Sequence, residues 1–355
     1  MSMIARATVC RAAMGIGLGH VAVVAISWCA AISLYRSRRR RRALPALLLP
    51  DVMIKSTRLS QRSFIVTGGA QGVGEAVARA LAAEGAVGVT IADVDATKAE
   101  AVQKELVAEP FCCRTLVVQA DLSKPDDCAR VVAAHDAEFR GVHGLVNCAA
   151  STARGYWDDT SAEFFDNMLA LNVRAPFLLM QAVGRLMERD GHGCGSIVNI
   201  GSVHAHGGSP KLVAYAASKG ALLTLVRPSN ARPIDRSRAA PFVSSAATPL
   251  TACIRWVSLA QTKNFAFAKR KQRIRANYII LGWVATPTEH KTMMSEGLAE
   301  NWLESVADAS HPFGRISRPV DVAKHVVHLL SDDACLQTAS CVDLHCFEPV
   351  TGCWE

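Results

Sequence analysis

The residues best suited to chemistry are Tyr215 and Lys219, the two ends of the run YAASK. Positions i and i+4 lie on one face of a helix, so the phenol and the ammonium are expected to point into one site. A free tyrosine has a pKa of about 10, and a neighbouring cation favours the phenolate and lowers that pKa. We therefore expect Tyr215 to exchange a proton with an alcohol or carbonyl near neutral pH.

A glycine-rich turn, TGGAQGVG at residues 67–74, predicts a phosphate-binding site. An apolar strand precedes the turn, and an amphipathic helix follows it. Glycines let the backbone turn tightly and approach a pyrophosphate, and the helix N-terminus supplies N–H groups and the positive end of a dipole. The candidate cofactor-binding residues in this turn are Gly68, Gln71, Gly72, Val73 and Gly74.

The choice between dinucleotides depends on Asp93, which ends the second predicted strand. A carboxylate there can accept hydrogen bonds from both hydroxyls of an adenosine ribose, and it repels a 2′-phosphate. Gln71 is neutral, whereas an arginine or lysine near this position would attract that phosphate. Both features favour NAD over NADP, although a solvated acid at a strand end is the alternative interpretation of Asp93.

A regular alternation of strands and helices is expected to position these groups. Short apolar strands are predicted at 64–66, 87–92, 116–118, 145–146 and 196–200, and helical stretches lie between them, beginning with 75–84. Strand–helix alternation predicts a parallel sheet covered on both faces. The expected fold is therefore α/β, a doubly wound parallel sheet of Rossmann type in three layers, αβα.

Taken in order, the motifs resemble those of the classical short-chain dehydrogenase/reductase family. The resemblance runs from about residue 58 to residue 343, apart from 226–261, and Ser202 precedes Tyr215 by 13 residues, a spacing typical of the family. The matching elements are Thr67–Gly74, Asp93, Asp121 with Leu122, Asn147-Cys148-Ala149-Ala150, Asn172, Ser202, and Tyr215 with Lys219.

This resemblance implies a role for each catalytic residue. Tyr215 would be the general acid/base, and Lys219 would lower its pKa and bind the nicotinamide ribose. Ser202 would polarise the substrate oxygen, and Asn172 would hold a water that links Lys219 to solvent.

The resemblance also completes the cofactor-binding set. Asp121 and Leu122 would contact the adenine, and Asn147 would stabilise the central sheet beside the cofactor. The whole expected set is Gly68, Gln71, Gly72, Val73, Gly74, Asp93, Asp121, Leu122, Asn147, Ala149, Tyr215 and Lys219. The chain departs from the family pattern at Cys148, Ala150 and Leu281, but none of these departures removes a catalytic group.

Residues 226–261 interrupt the pattern with four prolines, five arginines and no clear period. Joining 221–225 to 262–283 restores the family's usual continuation of the catalytic helix into the sixth strand. We interpret these 36 residues as an insertion within one helix, with ends that fit a retained intron. The resemblance implies a homodimer or homotetramer, and an insertion present in the protein would disturb that assembly.

The segment 1–52 precedes the expected Rossmann domain, 53–355. An apolar run at 14–35 is followed by an arginine cluster at 36–42. Three interpretations remain: a membrane anchor with the arginines in the cytosol, an organelle transit peptide, or an extension of the gene model before a true start at Met53. They place the protein on the cytosolic face of a membrane, in an organelle or in the cytoplasm.

Charge and cysteine content exclude several other classes. Residues 1–50 hold eight arginines and no acidic residue. The remaining 31 of the 39 basic residues are therefore balanced by 31 acidic residues in the rest of the chain. For this reason nucleic-acid binding by the folded body is not expected. The 12 cysteines form no CxxC pair, and His204 and His206 lack further ligands at metal-site spacing. Neither a disulfide framework nor a metal site is predicted.

The expected function is that of an NAD-dependent oxidoreductase, which interconverts a small secondary alcohol and a ketone by hydride transfer. Trp157, His204, Trp283 and residues 286–312 are expected to line the substrate cleft. One alternative is a catalytically inactive dinucleotide-binding sensor or scaffold. Another is a Rossmann methyltransferase, which has no use for the tyrosine–lysine pair.

Overall fold

The computed structural model describes residues 58–190, 195–206, 209–224, 260–303 and 315–345. The N-terminal segment 1–52 and all but the last two residues of the predicted insertion 226–261 lie outside these ranges. Within the described ranges, no helix combines the length and the apolar character that crossing a bilayer requires.

Strands of the described chain form one sheet in which every neighbouring pair is parallel. They are β1 Ser63–Thr67, β2 Gly88–Asp93, β3 Arg114–Gln119, β4 Gly144–Asn147, β5 Ser196–Ser202, β6 Arg275–Leu281 and β7 Cys341–Leu344. The strand order is β3-β2-β1-β4-β5-β6-β7, so the chain winds outward from β1 in one direction and then in the other. This order confirms the predicted doubly wound α/β fold.

Helices cover both faces of the sheet. They are α1 Gly72–Ala83, α2 Ala96–Val107, α3 Pro125–Phe139, α4 Ala162–Leu169, α5 Ala175–Asp190, α6 Val213–Thr224, α7 Ala260–Ala268, α8 Pro287–Ser295 and α9 Pro319–Leu330. A π-helical turn, Ala170–Arg174, joins α4 to α5, and a 3₁₀ turn, Val203–Ala205, follows β5.

The core divides between the two faces because alternate strand residues point in opposite directions. Phe64 and Val66 of β1 pack with α1, α2 and α9, whereas Ile65 packs with α3, α5 and α7. All five residues of β1 are buried. A central parallel strand needs apolar side chains on both faces, which is why it reads as a continuous apolar run.

The carboxyl ends of the strands meet at one edge of the sheet. Thr67, Asp93, Asn147 and Ser202 are the last residues of β1, β2, β4 and β5. The five predicted strands begin and end within two residues of the observed strands β1 to β5. Polar groups that lie as far as 135 positions apart in the sequence, at 67 and 202, thus come together at the edge where ligands bind in open α/β sheets.

Candidate active site

A cleft of about 860 Å³ lies at this edge of the sheet. Most of the residues predicted for catalysis or cofactor binding line it: Gly68, Gln71, Gly72, Val73, Gly74, Asp93, Asp121, Leu122, Ala149, Ser202, Tyr215 and Lys219. Asn147 and Asn172 do not line the cleft and are buried behind it. The fold therefore brings most of the predicted residues together around one cavity, and the side chains of Asn147 and Asn172 lie buried behind it.

The glycine-rich turn forms a backbone cradle on one side of the cleft. Gly68 has φ = +65°, and a Cβ there would lie 2.8 Å from Ala149 Cα. A Cβ at Gly74 would lie 2.1 Å from the carbonyl oxygen of Gly68. Side chains at these two positions would fill the space between the turn and its neighbours, so both glycines are required by close approach.

The first turn of α1 presents N–H groups to the cleft. The first helical hydrogen bond runs from Glu75 N to Gln71 O, at 3.3 Å. The N–H groups of residues 72–74 therefore have no partner within the helix, and all three residues line the cleft. Together with the helix dipole, this arrangement favours an anion such as a pyrophosphate.

Asp93 lies beside this turn with its carboxylate fixed by the backbone. Its Oδ2 accepts a hydrogen bond from Ala70 N at 3.0 Å, and its Oδ1 accepts one from Asp95 N at 3.1 Å. Farther along the edge, Asp121 accepts hydrogen bonds from Ser123, which hold the pKa of its carboxyl below its usual value. The cradle, the helix N-terminus and the fixed carboxylate at the end of β2 fit the phosphates and the ribose of a dinucleotide.

Tyr215, Ser202 and Lys219 meet where β5 and α6 approach each other. Lys219 Nζ donates to the carbonyl oxygen of Ile200 in β5 at 3.1 Å and lies 5.7 Å from the centre of the Tyr215 ring. Ser202 lies close enough to Tyr215 to lower the pKa of the phenol. The i, i+4 spacing on α6 thus brings the phenol and the ammonium to one point, as the sequence predicts.

The pKa of Tyr215 differs in direction from the sequence-based expectation. Burial raises it to about 12, although Ser202 lowers it in part. Burial also lowers the pKa of Lys219 to about 8. Desolvation opposes the charged form of each group, and the prediction was wrong because it counted the neighbouring cation but not the depth of the site.

Asn172 lies in the π-helical turn between α4 and α5. Its side-chain Nδ2 donates to Ser218 Oγ at 2.9 Å and to Ser151 O at 3.0 Å, and its Oδ1 accepts from Ser151 N at 2.9 Å. Ser218 sits on α6 directly before Lys219. The amide therefore ties the catalytic helix to the loop after β4. Asn147 Nδ2 donates to Asn199 Oδ1 at 2.7 Å, which links β4 to β5 beneath the cleft.

Four charged side chains also line the cleft, and sequence reasoning missed two of them, Arg154 and Lys211. Arg154 Nε donates to Glu296 Oε1 at 2.9 Å, and Lys211 Nζ donates to Glu296 Oε2 at 3.1 Å. Trp283 Nε1 donates to Glu289 Oε1 at 2.7 Å. These residues come from three segments that are distant in the sequence, and no motif connects them.

The structure tests which of the residues expected to line the substrate cleft do so. His204 and Trp283 line the cleft, as do several residues of 286–303. Trp157 does not line it and is 80% exposed, so that prediction was wrong. Residues 304–312 lie outside the described ranges. Across the described chain, no three histidine, cysteine or acidic side chains come together as metal ligands.

Comparison with known proteins agrees with this geometry. A family model described as short chain dehydrogenase matches residues 62–232, and one described as enoyl-(acyl carrier protein) reductase matches residues 251–344. A 2,5-dichloro-2,5-cyclohexadiene-1,4-diol dehydrogenase from Sphingobium indicum is 30% identical over 286 residues, which cover 80% of this chain and 95% of that protein. The chain belongs to the short-chain dehydrogenase/reductase family. This membership replaces the methyltransferase alternative.

Solved structures of other proteins share the fold. Levodione reductase aligns with a TM-score of 0.65 and 25% identity, over 81% of this chain and 96% of the reductase. L-Sorbose reductase from Gluconobacter frateurii, solved with NADPH and L-sorbose, aligns with a TM-score of 0.68 and 23% identity, over 84% of this chain and 100% of that protein. As a family member, this chain is a nicotinamide-dinucleotide oxidoreductase for substrates of the alcohol/ketone type.

Proposed function

We propose that this oxidoreductase uses NAD to interconvert a secondary alcohol and a ketone, with Tyr215 as the general acid/base. The observation that carries the proposal is the shared cleft: Ser202, Tyr215 and Lys219 line one part of it, and the glycine turn with Asp93 lines another. A hydride carrier and a proton carrier could therefore act on the same carbinol group.

In this proposal the residues divide the proton chemistry among them. A bound dinucleotide supplies the hydride acceptor or donor. Ser202 donates a hydrogen bond to the substrate oxygen, and Tyr215 gives that oxygen a proton or removes one. Lys219 has a pKa of about 8, so it is mostly charged at neutral pH and stabilises a phenolate on Tyr215.

The pKa of Tyr215 bears on the direction of the reaction. The phenol of a free tyrosine already holds its proton at neutral pH, and burial raises the pKa of Tyr215 further, to about 12. A protonated phenol is ready to donate to a carbonyl oxygen, so the resting enzyme is prepared for ketone reduction. Alcohol oxidation requires that proton to leave first, and its rate is expected to rise with pH.

Asp93 supports the preference for NAD. Its fixed carboxylate would repel a 2′-phosphate. The cationic residues of the described lining are Arg154, Lys211 and Lys219, and all three are engaged elsewhere: the first two with Glu296, the third with Ile200 O. None of these three contacts brings a positive charge to Asp93.

The direct test is turnover by the purified full chain. A panel of secondary alcohols and matching ketones is offered with NAD(H) or NADP(H), while the nicotinamide absorbance is followed. We expect turnover with a clear advantage for NAD(H). Binding of either dinucleotide without turnover of any panel member would contradict the proposal and favour the inactive sensor or scaffold.

A further inference from the structure

His204 contacts the hydroxyl of Ser202 twice. Its backbone N donates to Ser202 Oγ at 3.3 Å, as expected because Ser202 is the N-cap of the 3₁₀ turn after β5. Its ring Nδ1 lies 3.2 Å from the same oxygen. The ring also meets the ring of Tyr215 edge-on, with centres 5.9 Å apart, and lines the cleft.

The number of hydrogen bonds that the Ser202 hydroxyl can make determines what its contact with Nδ1 does. A serine hydroxyl has one proton to donate and two lone pairs that accept. The backbone N–H of His204 can only donate, so it occupies one lone pair. The Nδ1 atom then either donates to the second lone pair or accepts the only proton, depending on which ring nitrogen of His204 is protonated.

The two tautomers give opposite hydrogen-bond directions in the site. If Nδ1 carries no proton, Ser202 donates its own proton to Nδ1, and its second lone pair can accept from Tyr215. In that case neither hydroxyl proton points at a substrate oxygen. If Nδ1 carries the proton, both lone pairs of Ser202 are filled. Its own proton can then go only to the Tyr215 oxygen or to the substrate, and the Tyr215 proton is free for the substrate.

We propose that His204 is a positioning residue, which carries its proton on Nδ1, donates to Ser202 Oγ and thereby turns both the Ser202 and the Tyr215 hydroxyls toward the substrate oxygen. The inference rests on the proposed function of Tyr215 as acid/base. It assigns His204 no direct proton transfer to the substrate.

The surroundings of His204 keep its ring neutral, as the proposal requires. Within the described part of the chain, Arg154 acts on His204 through its charge, and the ring of Tyr215 contacts the His204 ring. Burial and the positive charge of Arg154 hold the pKa of His204 below its usual value, so the ring is neutral at pH 7 and has one N–H to place.

The first experiment compares two conservative variants with one that lacks any donor. An asparagine places its side-chain N–H near the position of Nδ1, whereas a glutamine carries it farther out. We expect His204→Leu and His204→Gln to lower kcat by roughly 10- to 100-fold, with dinucleotide affinity and thermal midpoint unchanged. His204→Asn should recover most of the loss, and equal losses in the Asn and Gln variants would overturn the proposal.

A double-mutant cycle with Ser202→Ala asks whether His204 acts through the serine. We expect His204→Leu to reduce kcat strongly in the parent and hardly at all in the Ser202→Ala background, because the group that it orients is already gone. Full additivity of the two losses would show that His204 acts on the substrate independently and would overturn the inference.

A second readout does not depend on turnover. Ring ¹⁵N labelling of the histidines distinguishes Nδ1–H from Nε2–H in the neutral ring, and comparison with His204→Asn identifies the signal among the 11 histidines. We expect the Nδ1–H form. The Nε2–H form would overturn the positioning role even if the enzyme is active, whereas Nδ1–H with no turnover of any substrate would uphold the geometry and contradict only the proposed function.

Discussion

The two halves of the cleft are built in different ways. The dinucleotide half, at the ends of β1 to β3, consists mainly of backbone: glycines without room for a Cβ, the first turn of α1, and one carboxylate held by main-chain N–H groups. The substrate half, at the ends of β4 to β6, includes side chains from distant segments that bind one another. Arg154 and Lys211 both bind Glu296 there, and Trp283 binds Glu289.

This difference indicates which amino-acid substitutions each half of the cleft tolerates. A half that is shaped by backbone recognises a ligand common to many enzymes and loses its shape when any side chain is added at a close approach. A half that is shaped by side chains can change its substrate by substitution while the sheet stays intact. The catalytic group lies between them, and the four variants below test whether the halves respond separately.

Removing the proton carrier should have the largest effect and should leave both halves intact. Tyr215→Phe keeps the ring but loses the hydroxyl, so we expect kcat to fall by roughly 10²- to 10⁴-fold. The dissociation constant for NAD, measured by titration, should stay within a factor of about two, because phenylalanine keeps the ring of Tyr215 and the phosphate-binding turn is unchanged. A near-normal kcat would remove Tyr215 from the acid/base role.

Gly74→Ala tests the backbone cradle. The added Cβ would lie 2.1 Å from the Gly68 carbonyl oxygen, so the turn must shift. We expect the NAD dissociation constant to rise by roughly 10- to 100-fold, equivalent to about 1–3 kcal/mol of overpacking.

The matched control for the cradle is Gly69→Ala in the same turn. Its Cβ would meet Ile91 Cγ2 at 3.1 Å, a milder overlap than that at Gly74, which a shift of a few tenths of an ångström relieves. We expect a smaller loss of affinity. Equal losses, or a lower melting temperature that accounts for both, would show that the turn supports folding rather than dinucleotide binding.

Asp93→Asn tests whether charge matters in the dinucleotide half. The substitution keeps the size of the side chain and removes the repulsion of a 2′-phosphate, although its NH2 group can no longer accept one of the two backbone hydrogen bonds. The ratio of kcat/KM for NAD to that for NADP should therefore fall by roughly 10-fold or more. Asp95→Asn is the control, because Asp95 caps α2 through Lys98 N and does not line the cleft. An unchanged ratio in Asp93→Asn would show that this carboxylate does not read the ribose.

Glu296→Gln should have the smallest effect, confined to the substrate half. Arg154 and Lys211 would lose a shared partner, and a partly buried ion pair contributes about 1 kcal/mol or less. We expect KM for the alcohol to rise by about two- to fivefold, with the NAD dissociation constant unchanged. Glu300→Gln, an exposed change outside the cleft lining in the same part of the chain, should alter neither value. If NAD affinity changes in Glu296→Gln, the two halves are not independent.

The sequence was a good guide wherever a functional group lies close in the chain to the feature that positions it. The glycine turn is flanked by its own strand and helix, and Tyr215 and Lys219 are one helical turn apart. Asp93 follows directly from the strand that it ends. Such local patterns place Gly68, Gly74 and Tyr215 at the cleft without any knowledge of tertiary contacts.

The sequence was a poor guide where the environment is made by distant segments. Arg154 and Glu296 are 142 positions apart, and neither belongs to a motif. Trp157 was expected in the cleft from its residue type alone, yet it is exposed. The pKa of Tyr215 is likewise a property of burial, which no local pattern contains.

From its amino-acid order alone, the chain determined an alternating α/β topology, a phosphate-binding turn and a tyrosine–lysine pair on one helical face, because each depends on periodicity or spacing within a few residues. Only the tertiary structure decided that Arg154 and Lys211 share Glu296, and that burial raises the pKa of Tyr215. These outcomes depend on which surfaces meet when helices pack on the sheet, and on the loss of water where they meet.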